Sequence, residues 1–126
     1  MADESIDAKC QVDLPNSGSN VFVQLVESWP ERVDYRINLK DPQQNTIHVV
    51  PAAVYAIPVL HDLGRAANGL RGYQMFCAGV VGFAVAGSWD LECQVIVDNN
   101  VVGRCSGTLN GTQGAMSMFR FICDFV

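Results

Sequence analysis

Alternation of apolar and polar residues with a period of two dominates this chain. Val33, Tyr35, Ile37 and Leu39 alternate with Asp34, Arg36, Asn38 and Lys40, which predicts a strand with one buried and one wet face. Trp89, Leu91, Cys93, Val95 and Val97 alternate in the same way with Asp90, Glu92, Gln94, Ile96 and Asp98. Phe119, Phe121, Cys123 and Phe125 make an aromatic stripe along a last strand over residues 115–126. The second face of that strand carries Met116, Met118, Ile122 and Val126 around Arg120 and Asp124, more apolar than a wet face should be. Val21 to Val26 and residues 79–86 are apolar on both faces too. Shorter strands over Thr46–Val50 and Tyr73–Cys77 complete the β pattern.

Turn signals separate these runs. Asp41-Pro42-Gln43-Gln44-Asn45 and the glycine-rich stretch Gly107 to Gly114 are two of them. Asp98-Asn99-Asn100 predicts a hairpin, because asparagine tolerates positive φ. A three-residue loop there sets Val97 opposite Val101, Val95 opposite Gly103 and Cys93 opposite Cys105. A two-residue loop would bring Arg104 opposite Val95, so the longer loop is favoured. Pro58 can open a helix; Val59, Leu60, Leu63, Ala66, Ala67 and Leu70 then share one face, with His61, Asp62, Arg65 and Asn68 on the other. One short helix is expected near 58–68, stopped by Gly69, with Gly64 costing it about 1 kcal/mol.

Residues 1–19 read as a flexible acidic arm and residues 20–126 as a single β-rich domain. The expected fold is an antiparallel β-sandwich of about 7–8 strands with that one helix. A flattened barrel around a small cavity is the next choice, and an α+β layer fold follows if residues 52–70 are all helical.

Composition narrows the function classes. The chain has 126 residues, 49% hydrophobic and 17% charged, so it can bury a core without a metal or a disulfide. Thirteen acidic against eight basic residues give a net charge of −5, and no two basic residues are adjacent. That argues against nucleic acid and against an anionic membrane surface as partners. The most apolar stretch, Met75 to Gly87, is 13 residues long with three glycines, too short to cross a bilayer. The start shows no basic and apolar leader pattern, which suggests a cytoplasmic protein. The five cysteines have no metal-ligand spacing and are expected to be mostly reduced core residues, with a Cys93–Cys105 bridge the exported alternative.

Candidate chemistry is thin. His61-Asp62 invites a catalytic reading with Cys77 or Ser88 as nucleophile, but neighbouring residues on a helix point about 100° apart, and a solvated helix face explains the pair. His48 reads as a surface histidine. Asp90 and Glu92 lie about 6.8 Å apart on one strand face, a spacing that suits glycosidic hydrolysis and any wet strand equally. No catalytic residue, metal ligand or cofactor is assigned, and the pattern leans away from an enzyme. The leading expectation is an assembly or binding module: a homo-oligomer, or a protein-binding domain, docking through Met116, Met118, Ile122 and Val126. The alternative is a protein for a small apolar, aromatic or carbohydrate ligand, with a pocket lined by Trp29, Tyr55, Tyr73 and Trp89. A small hydrolase comes third.

Overall fold

The computed structural model describes residues 5–28, 32–83 and 86–126, and of Arg32 the backbone alone. Among these residues nine strands form two packed sheets: β1 (Ile6–Val12), β2 (Asn20–Glu27), β3 (Arg32–Lys40), β4 (Thr46–Ala56), β5 (His61–Ala66), β6 (Gln74–Gly82), β7 (Gly87–Val97), β8 (Asn100–Gly111) and β9 (Met116–Phe125). One sheet has the order β1-β9-β6-β3-β4 and the other β5-β2-β7-β8. The sheets are stacked and not closed on each other, so the molecule is a β-sandwich, as the alternation predicts, and not a barrel.

The period-two runs account for the core. Val33, Tyr35, Ile37 and Leu39 of β3 point inward with Phe119, Phe121, Cys123 and Phe125 of β9, against Val21, Val23 and Leu25 of β2 and Leu91, Cys93, Val95 and Val97 of β7. All are 2% exposed or less, and they belong to one continuous apolar cluster.

The helix expected near 58–68 does not form. Residues 61–66 are strand β5, paired with β2, and Ala67–Gly69 is a single 3-10 turn. Gly64 sits at φ +73°, outside helical space, and the Asp62 carboxylate accepts the Gly64 N–H at 2.8 Å. Leu63, Ala67 and Leu70 are buried by a strand and tight turn instead, while Leu60 is left 57% exposed. The flexible arm over 1–19 is also corrected where the structure describes it. Ile6–Val12 is strand β1, parallel to β9 with Ile6 opposite Phe119 and Val12 opposite Phe125. Its apolar positions Ile6, Ala8, Cys10 and Val12 alternate with Asp7, Lys9 and Gln11. Leu14 is 1% exposed, and its N–H donates to the Val126 carbonyl.

The β7–β8 hairpin keeps the expected Cys93–Cys105 and Val95–Gly103 register with a shorter loop. Asp98 and Asn99, at φ +52° and +63°, make a two-residue turn, Val97 faces Asn100, and a bulge after Val95 absorbs the extra residue. Val101 is therefore 39% exposed rather than facing the core.

The two seams of the sandwich are tied differently. At one, β1 lies against β8: a Cys10–Cys105 disulfide joins the sheets, and Val12 packs so close to Gly103 that a Cβ there would lie 2.6 Å from it. Two of the five cysteines are thus bonded, while Cys77, Cys93 and Cys123 remain buried thiols. At the other seam, between β4 and β5, the Tyr35 hydroxyl and His61 Nε2 share a hydrogen bond of 2.5 Å, with the Tyr55 ring against both.

Candidate functional site

The outer face of the five-stranded sheet carries Val54, Met116 and Met118, three of the six large hydrophobic side chains exposed among the described residues. β9 lies inside this sheet, between β1 and β6, yet Met116 and Met118 are 60% and 67% exposed. Rows of aligned residues cross the strands here. Met118 pairs with Val80, Val80 with Asp34 and Asp34 with Val54; one step along, Arg120 pairs with Ala78 and Ala78 with Arg36. Ile122, half-buried, continues the face beside Phe76, which lies 5.7 Å under the Lys40 ammonium. Of the four residues expected to dock, Met116, Met118 and Ile122 share this face, and Val126, 41% exposed, follows the end of β9.

The charges on the face are ordered. Arg120 forms a bidentate pair with Asp7 on β1, at 2.7 and 3.1 Å, and Lys9 lies 3.5 Å from Asp124. Arg36 and Asp34 are exposed neighbours on β3 and enter no ion pair among the described residues. A cleft of about 450 Å³ runs between Asp7, Arg36, Val80, Met118 and Arg120, and a smaller one of about 250 Å³ continues past Arg36 to Lys40 and Phe76. This face offers apolar contact with both signs of charge.

The other outer face is mixed: half-buried Phe22 and Ile96 line a cleft of about 260 Å³ with Leu60 at one end, and polar side chains bond one another over the rest. Gln24 donates to Gln94 at 2.8 Å, Gln94 to Glu92 at 2.6 Å, and Thr108 to Asp90 at 2.7 Å. Asp90 and Glu92 do line one cleft, of about 420 Å³, with Ser28, Ser106 and Thr108. Asp90 and Glu92 each already accept from a neighbouring side chain. Among the described residues no group of His, Cys, Asp and Glu is placed to hold a metal ion.

The aromatic residues expected to line a pocket are dispersed. Trp29 lies outside the described residues. Tyr55 stacks with Tyr35 and His61 at the β4–β5 seam, Tyr73 lies 5.9 Å under the Arg65 guanidinium, and Trp89 is buried against Phe83. None of the clefts above is lined by any of them. His48 is a surface residue, bonded to Asn38 across the β3–β4 pair.

Two buried clusters escape a reading of the sequence. Cys123 shares a thiol hydrogen bond with Cys93, and Cys93 with Cys77. The Cys93–Cys123 bond and burial push Cys123 far up. At Cys93 the bond to Cys123 favours the thiolate, but the bond to Cys77 and burial outweigh it, so that thiol is raised as well. Such thiols are packing groups and not nucleophiles. The second cluster is Tyr35 with His61. Burial raises the tyrosine and lowers the histidine below its ordinary 6.5, so both stay neutral. The hydrogen bond they share is then one between two neutral groups. Unfolded His61 gains its proton as pH falls through about 6.5 while folded His61 resists, so stability present above 6.5 is lost below it. Tyr35→Phe should remove about 1 kcal/mol at pH 7.5 and leave this acid limb in place, because His61 stays buried, whereas His61→Phe should flatten it in urea titrations between pH 7.5 and 5. An acid limb of unchanged slope in His61→Phe would assign the pH dependence elsewhere.

No protein-family model matches the chain, and no curated protein matches it in sequence.

Proposed function

We propose that this protein is a non-catalytic assembly module that docks, onto itself or another protein, through the outer face of its five-stranded sheet. The observation that carries this reading is Met118, 67% exposed on a strand inside the sheet whose opposite face is wholly buried. Exposed methionines beside Val80 and Val54 gain free energy only when something covers them. The sheet edges are poorer docking sites. β4 carries Pro51 and register shifts beside it, β5 has Gly64 at positive φ, and β1 and β8 are held together by the disulfide.

The test is the solution mass, by light scattering over a concentration series. The wild type should form a closed oligomer. Met118→Asp should weaken it by about 30-fold or more with the circular dichroism unchanged, the effect of losing one central apolar contact. A variant with the wild-type mass profile would remove this face from the function.

A further inference from the structure

We infer that the occupant of this face is a second copy of the chain, packed sheet to sheet about a two-fold axis between the Asp34 and Arg36 rows, so that Arg36 of each copy meets Asp34 of the other. The inference rests on the assembly reading above and adds the partner and its register.

Charge selects the partner. Among the described residues the face holds four cations (Lys9, Arg36, Lys40, Arg120) against three carboxylates (Asp7, Asp34, Asp124), whereas the other described side chains include three cations and seven carboxylates. Two acidic molecules approaching by most other surfaces oppose like charge. By this face they do not. It is the nearly neutral side of an acidic body, with its cations and carboxylates interspersed.

The rows are complementary under the symmetry. A two-fold axis lying in the interface, perpendicular to the strands and between the two rows, exchanges one row for the other and keeps each strand over its own copy. Val80 then meets Ala78 of the other copy, a large residue against a small one. Met118 lies over the aliphatic stem of Arg120, whose guanidinium Asp7 already holds flat at 2.7 Å. Asp34 and Arg36, the exposed pair on β3 that enter no ion pair among the described residues, become two symmetric salt bridges. The area is sufficient as well. Five strands at about 4.8 Å spacing, about 27 Å long, give roughly 650 Å², near the roughly 800 Å² per partner of a standard specific interface.

Charge reversal tests this without touching the core. Asp34→Arg and Arg36→Asp are each expected to weaken the dimer by about 10- to 100-fold at low ionic strength, where exposed charges are least screened. The double exchange Asp34→Arg with Arg36→Asp should restore the wild-type mass profile. An equimolar mixture of the two single variants should do the same, because a doubly positive face then meets a doubly negative one. A monomeric wild type would overturn the inference. Single variants that dimerise like the wild type, while Met118→Asp dissolves the dimer, would overturn the two-fold arrangement and leave the assembly reading standing.

Discussion

Replacing Cys10 and Cys105 together by alanine should lower the unfolding free energy by about 4–5 kcal/mol, the loop-closure entropy of a bond spanning 95 residues. Against a stability of about 5–15 kcal/mol for a domain, that is about a quarter or more of the whole. The bond joins the outermost strand of one sheet to the outermost strand of the other, so the unfolded chain loses long-range freedom while the native core is hardly strained by its absence. The check is a urea titration of the oxidised wild type, the reduced wild type and the double variant. Reduced protein and variant should unfold at the same lowered midpoint. Cys77, Cys93 and Cys123 should resist a thiol reagent in the folded state, since all are fully buried. Coincident midpoints for all three samples would show that the β1–β8 seam holds without the bond.

Gly79→Ala should destabilise by about 3 kcal/mol or more, at the upper end of what one added methyl does in a packed interior. A Cβ at this position would lie 2.0 Å from the Asp34 carbonyl oxygen and 2.6 Å from the Tyr35 Cβ. Neither atom can swing aside, because both belong to the paired strand β3, in which Tyr35 faces Gly79 directly. Relief requires β3 and β6 to separate in the middle of the sheet. Gly82→Ala is the control on the same strand: a Cβ there meets nothing within 4 Å, and the change should be neutral or slightly stabilising. Thermal unfolding of the two variants side by side separates close approach from any general effect of glycine loss. Equal shifts would refute the steric explanation.

What the sequence revealed follows from where the information lies. Strand faces are local, and the alternation in β3, β7 and β9 announced theirs, including the exposed methionines. β1 was obscured because two of its four inward positions, Ala8 and Cys10, are small and its flanks are acidic, so composition outweighed period. Residues 58–68 misled because Leu63, Ala67 and Leu70 satisfy helical spacing while serving a strand and a tight turn. Gly64 was the signal against a helix. The Tyr35–His61 contact and the Cys10–Cys105 bond could not be read at all. Each depends on which strand ends up beside which, and the β5-β2-β7-β8 order is set by packing across the whole chain. The same holds for the docking face: Met118 was visible, but its neighbours Val80, Asp34 and Val54 come from three other strands.

The pairing of β1 with β9 has a consequence for how the protein comes into being. Ile6 meets Phe119 and Val12 meets Phe125, so β1, once synthesised, waits for β9, more than a hundred residues behind it. At ordinary translation rates that wait is on the order of ten seconds, far longer than collapse of a chain this size. Throughout it, Ile6, Cys10 and Val12 have no sheet to join, and β6 lacks the neighbour that will separate it from β1. The five-stranded sheet is therefore completed only after the ribosome has finished residues 116–125, and oxidation of Cys10 with Cys105 before that moment would fix β1 against β8 with no β9 between β1 and β6.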